Sequence, residues 1–234
     1  MYGAVTGKIV VADGSISNID IGLVEAMKFD LSLTKEITKM TVSNSQGTKT
    51  TEFSGNTLAK VEMTAKYVAG SEVYVEYTFT VRNEGEIAGY AKKIVDYIPE
   101  DMNFNSGLNP IWYTGSDGNL YTTTLADVEI KPGEAKQFKL VLSRTMTDEN
   151  TGLVVNTAEI VEDYNIYGVS DTDSVLGNKA QNEDDFGRAN ALISIKTGEA
   201  FIYISLIITT ILLVGIAVFI IVLKVKEKVK RGGV

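Results

Sequence analysis

Residues 72–83 read EVYVEYTFTVRN, and their strict alternation constrains the chain more than any other feature. Val73, Val75, Tyr77, Phe79 and Val81 fall on one side of an extended backbone. Glu72, Glu76, Thr78, Thr80 and Arg82 fall on the other. That period of two describes a strand with one face in a core, and Asn83-Glu84-Gly85 closes it with a turn. Comparable runs recur: FDLSLTKEITKMTVSN, LAKVEMTAKYV, GYAKKIVDYIP, LYTTTLADVEI, KQFKLVLSRTM and GLVVNTAEIVED. Gly47, Gly70-Ser71, the Ser-Asp-Gly at 116–118 and Pro132-Gly133 punctuate them. About seven to nine short strands with little helical pattern predict an all-β fold, an antiparallel β-sandwich over residues 28–162.

Residues 201–223, FIYISLIITTILLVGIAVFIIVL, carry no charge. A helix of that length spans roughly 35 Å, enough for a bilayer core of about 30 Å, so a single C-terminal transmembrane α-helix is expected there. The tail at 224–234, KVKEKVKRGGV, has a local charge of +4 within a chain of net −8, leaving −12 for the rest. The positive-inside rule then places the tail in the cytoplasm and the acidic body outside, in a single-pass cell-membrane protein. A tail-anchored cytosolic protein would put the basic tail on the wrong side. MYGAVTGKIVVADG lacks the features of a signal peptide. Residues 1–27 therefore read as a connector or remnant of a preceding domain, with neighbouring domains of a longer chain as partners. Residues 163–200 read as an acidic stem with room for an extra strand.

The chain contains neither Cys nor His, which excludes disulfides, thiol chemistry, zinc sites and a Ser–His–Asp triad. An acidic body without a basic patch argues against nucleic-acid partners. No phosphate loop or glycosidase-like acid pair stands out, so the expectation is a structural or adhesive protein without a cofactor and without enzymatic turnover. A wall hydrolase on a β-domain is the enzyme alternative, and missing His and Cys weigh against it.

Three polar residues break apolar faces. In FDLSLTKEI, Lys35 shares its row with Phe29, Leu31, Leu33 and Ile37; in IVDYIP, Asp96 lies between Ile94 and Ile98; in LVVNTAEI, Asn156 shares a row with Val154, Ala158 and Ile160. A buried Lys sheds its proton, because desolvation disfavours the charged form, and becomes a nucleophile. A buried, protonated carboxyl can shuttle protons while a carboxamide loses ammonia. The trio can therefore make an amide between Lys35 and Asn156, with Asp96 as the acid, clamping the domain as a disulfide would. The alternative is ordinary: Lys35 snorkels to water, and Asp96 and Asn156 satisfy turn backbone.

YTFTVRNEGEIAGYAKKIVDYIPEDM resembles the conserved-repeat, Ig-like domains of Gram-positive surface proteins, with an alternating strand, Asn-x-Gly, and Asp shortly before Pro. FDLSLTKEI and VVNTAEI resemble the opening and closing strands of related domains in clostridial wall proteins and pilin-type adhesins, where Lys–Asn isopeptide bonds are known. The likeness covers roughly residues 28–200. It implies an Ig-like sandwich with Lys35 as amine, Asp96 as acid and Asn156 as acceptor.

DTDSVLGNKAQNEDDFG, residues 171–187, gathers Asp171, Asp173, Asn178, Asp184 and Asp185, hard oxygen ligands suited to Ca²⁺. The spacing is not that of an EF-hand, and a solvated acidic linker is the competing interpretation. The segment is similar to acidic loops of Gram-positive adhesin repeats, some of which bind calcium, although Val175-Leu176 stands where those have Thr-Pro. SIKTGE at 194–199 resembles part of a sortase signal, but Ser194 and Ile195 replace its Leu-Pro. A retained anchor is thus expected over cleavage at Thr197-Gly198. The loop NPIWYTGSDGNLY, 109–121, offers Trp112, Tyr113 and Tyr121 to a host protein, glycan or cell-wall ligand, though a lone Trp in a sandwich is usually core.

Overall fold

A computed structural model of the chain describes residues 2–3, 24–25, 27–196 and 198–231; in its helix, side chains are described for 205–221. β1 (Tyr2–Gly3) pairs with β2 (Val24–Glu25). Residues 1, 4–23 and 26, and Thr197 of the cleavage dipeptide, lie outside the described residues.

From residue 31 the chain forms two sheets. β3 (Leu31–Asn44), β4 (Gly47–Asn56), β6 (Glu72–Asn83), β8 (Asn103–Phe104) and β11 (Ala135–Thr145) make a five-stranded sheet ordered β4-β3-β6-β11-β8. β5 (Leu58–Met63), β7 (Tyr90–Tyr97), β9 (Tyr113–Thr114), β10 (Leu120–Thr122), β12 (Gly152–Tyr164) and β13 (Phe186–Ile195) make a six-stranded sheet ordered β5-β13-β12-β7-β10-β9. All pairs are antiparallel except β13 with β5. The inward row of β6, Val73 to Val81, is fully buried, and Phe138, Leu140 and Leu142 of β11 continue it. Ile94, Val154, Ala158, Ile160, Ala189, Ala191 and Ile193 face it from the other sheet. Apolar rows on the two inner faces form one core between two layers.

β3 changes parity midway. Leu33, Lys35 and Ile37 point inward, a register shift falls between Ile37 and Lys39, and Met40 and Val42 are the next inward residues. A bulge inserts one residue, which moves the inward set by one position. The alternating row Phe29–Ile37 in the sequence ends where the bulge begins.

The sequence predicts a sandwich over 28–162 and, over 163–200, a stem with room for a strand. That strand is β13, inserted between β5 and β12, so the sheet runs through residue 195. The segment before it folds back on the domain instead of extending as a linker. Leu33 N–H donates to the Asp184 carbonyl at 2.7 Å, and Ile160 N–H to that of Asp185 at 3.1 Å. Tyr97 Oη and the Lys179 N–H donate to the carboxylate of Glu159, which is fully buried although it faces away from the core.

α1 (Gly198–Arg231) is one helix of 34 residues. Among the described residues no helix is long and apolar enough to cross a membrane. The described side chains, 205–221, account for roughly 25 Å of helix. They are uncharged and exposed throughout.

Candidate functional site

Lys35, Asp96 and Asn156 meet inside the sandwich. Their exposures are 1 %, 0 % and 0 %, which rules out a lysine snorkelling to water and an aspartate serving a surface turn. β3 carries Lys35 on the five-stranded sheet; β7 and β12 carry Asp96 and Asn156 side by side on the other. Asp96 pairs with Ala158, so Asn156 is its diagonal neighbour on the same face. Lys35 Nζ donates to Asp96 Oδ2 and lies 4.8 Å from the ring centre of Tyr77 and 5.0 Å from that of Phe79.

The last strand makes room for this crossing. Gly187, paired with Ala158, sits against Lys35, and a Cβ there would lie 2.9 Å from Lys35 Cβ. Ala189 and Ala191 keep the same row small. Gly187 is not among the residues singled out from sequence; the signal for it is the Gly-x-Ala-x-Ala alternation at 187–191, an inward row with unusually little volume.

The electrostatics push toward neutral groups. Burial lowers the Lys35 pKa to about 8 against the opposing pull of Asp96. Burial also raises the Asp96 pKa, while Lys35 and the Asn156 carboxamide pull it down. Burial likewise raises the Tyr77 hydroxyl, which feels the Asp96 charge as well. Asn156 influences both Asp96 and Tyr77, yet neither its Oδ1 nor its Nδ2 meets hydrogen-bond geometry; Asp96 Oδ1 and Tyr77 Oη are also unpartnered. Buried polar groups without partners are costly and rare. Here four such atoms belong to three residues of the same buried group as an amine whose pKa burial depresses, an arrangement suited to chemistry more than to stability.

The acidic segment builds a second cluster. Asp171, Asp173 and Asp184 come together with Asp30, each offering a carboxylate oxygen within 4.8 Å of the others. Asn178 does not join them: its amide donates twice to Glu183 at 2.9 Å. Asp185 is also outside the group, buried with both oxygens unpartnered. Asp30, missed in the sequence, arrives because Phe29 bridges to Asp171 and Leu31 N–H donates to Asp171 Oδ2 at 2.8 Å.

Comparison with known proteins gives only distant structural likenesses. No family model matches, and no curated protein does. Two of the solved structures that match are of a CARDB domain. The crystal structure of the CARDB domain of the PF1109 protein from Pyrococcus furiosus, in complex with di-metal ions, is 13 % identical, with a TM-score of 0.32, over 74 % of this chain and 100 % of that one. The solution NMR structure of the same domain is 18 % identical, with a TM-score of 0.31, over 73 % and 100 %. Likenesses this distant carry no ligand or role across.

In the loop 109–121, Trp112 is core: it is 3 % exposed, its Nε1 donates to the Lys139 carbonyl at 2.7 Å, and it packs on Phe79 and Phe138. It is therefore removed from the expected ligand surface. Tyr113 stays exposed and stacks on Tyr121 at 6.0 Å, whose hydroxyl donates to Asp117.

Proposed function

We propose that the chain is a membrane-tethered, Ig-like surface module of a Gram-positive cell, a stalk or adhesion unit whose sandwich is stapled by an amide between Lys35 and Asn156. The observation that carries this reading is the fully buried amine of Lys35, hydrogen-bonded to a buried carboxyl beside an unpartnered carboxamide. Proton transfer from Lys35 to Asp96 gives a neutral amine and a carboxylic acid. The amine attacks Asn156 Cγ, the acid donates a proton as the carboxamide nitrogen leaves, and the resulting carboxylate takes up the proton shed by the attacking nitrogen. One C–N bond forms, one breaks, and ammonia departs, so no outside reagent is needed. The product joins the two sheets and removes a charge that was costly to bury.

Support for the tether is the uncharged run Phe201–Leu223 and the basic residues after it, together with a row of exposed apolar side chains from Leu206 to Ile221 on α1. Exposed apolar surface of that extent calls for a lipid or protein partner. Intact mass of the full chain purified in detergent tests the staple: about 17 Da below the sequence mass is expected, restored to full mass by Asn156→Ala. Full mass in the unaltered chain rules the amide out. A second reading, capture of a host or wall ligand at residues 109–121, rests on the exposed Tyr113–Tyr121 stack. Glycan-array binding lost in Tyr113→Ala would favour it.

A further inference from the structure

The rim of the sandwich next to β3 holds far more negative charge than its partners balance. Asp30 is 2 % exposed, and its Oδ1 has no hydrogen-bond partner, although it lies in a group of four carboxylates. Lys28, itself half exposed, bonds the other oxygen, Oδ2. Asp171 gives one oxygen to the Leu31 N–H, and Asp184 accepts from the Ser174 hydroxyl at 2.9 Å. Asp173 is exposed. The carboxylates of Asp163 and Asp185 add to the same field. A buried carboxylate with one oxygen lacking any donor, in a group with three more anions, is an arrangement that a cation relieves.

We propose that Asp30, Asp171, Asp173 and Asp184 bind one Ca²⁺ ion that clasps the entry of the first sandwich strand to the loop between β12 and β13. The donors are all carboxylate oxygens, which select hard cations over zinc or copper. Oxygens all within 4.8 Å of one another fit around an ion whose ligands sit at roughly 2.3–2.6 Å, as for Ca²⁺, and irregularly placed carboxylates suit its flexible shell better than the strict octahedron of Mg²⁺. Lys28 then acts as a removable counter-ion, since its ammonium holds Asp30 from solvent and can swing away.

The clasp complements the staple by topology. An amide from 35 to 156 shields the chain between those residues from tension, but leaves the second half of β12 and the loop to β13 outside it. A cation joining Asp30 to residues 171–184 closes that remainder, so tension arriving at residue 30 would pass directly to β13. The clasp does not require the amide, so the two can be tested apart.

The test is calcium titration of the full chain in detergent, after removal of divalent ions, read by calorimetry and by thermal unfolding. Saturable binding near one ion per chain and a melting point several degrees higher with CaCl₂ are expected, with MgCl₂ at equal ionic strength giving much less. Asp173→Asn, at an exposed position that folding tolerates, weakens binding at least about tenfold, and Asp30→Asn does the same if it folds. Lys35→Met keeps the calcium response. The proposal is overturned if calcium and magnesium act alike, if no heat saturates, or if Asp173→Asn binds as the unaltered chain does.

Discussion

Two polar clusters occupy this sandwich, and they differ in the way burial is resolved. At the centre, Lys35, Asp96 and Asn156 are enclosed on every side by apolar rows, with opposite charges available within the group. At the rim, Asp30, Asp171, Asp173 and Asp184 share one sign of charge and a partly open surface. The first group can settle its own charges by proton transfer and then by bond formation. The second has no internal remedy and needs an ion from outside. Enclosure with complementary groups favours self-modification; enclosure with like groups favours ligand binding.

The largest expected effect separates the two directly. A staple across a loop of this size contributes about 5 kcal/mol by restricting the unfolded chain. Asn156→Ala should therefore lower the melting point by roughly 10–20 °C in calorimetry, a loss that no reductant reproduces in a chain without cysteine. Loss of only a degree or two would place both clusters on the same non-covalent footing.

A pH dependence of somewhat smaller size sharpens the contrast. In Asn156→Ala the amine of Lys35 stays free, with a folded pKa near 8 against 10.5 when unfolded. Between those values the unfolded chain binds the extra proton, so stability rises with pH across pH 8 to 10.5, by up to roughly 3 kcal/mol. Asp96 runs the other way: its folded pKa is raised above 3.8, so its contribution is full below pH 3.8 and is lost as pH rises through the folded value. The stapled chain has no amine at Lys35 and should lack the alkaline rise. Urea unfolding at pH 8, 9 and 10 compares the two.

Next in size is Gly187→Ala. The added Cβ would press on Lys35 Cβ at 2.9 Å, and the cost is about 1–3 kcal/mol with slower amide formation, read as a mixture of stapled and unstapled masses. The rim cluster should bind calcium as before.

Legibility in the sequence follows from how each residue became buried. β6 was readable because its alternation is unbroken and both strand neighbours exist. The central trio was readable for the same reason, since a polar residue in an apolar row stands out from local pattern alone. β4, GTKTTEFSGN, was not: it is an edge strand with most residues exposed, held by pairing to β3 and carrying no apolar row. Asp30 was not readable either. It shares the polar side of FDLSL with Ser32, and nothing local announces that a loop some 140 residues later docks on this entry of β3. Asn178 and Asp185 looked like ligands by proximity in sequence, but the fold turned one toward Glu183 and enclosed the other beside Glu159.

The smallest effect asks whether the clusters sense each other. Lys35 and Asp30 lie on one segment, so drawing Lys35 toward Asn156 could shift Asp30 within its group. If the sites are independent, saturating calcium should raise stability by the same amount in the unaltered chain and in Asn156→Ala, to within about 0.5 kcal/mol. A larger increment in the stapled chain would mean that the covalent bond presets the rim, making the metal clasp a consequence of the staple. Because β3 enters the sandwich through backbone hydrogen bonds from Glu84 N–H to Asp30 and from Leu33 to Asp184, its path at residue 30 is fixed whether or not the amide forms. Equal increments are the expected result.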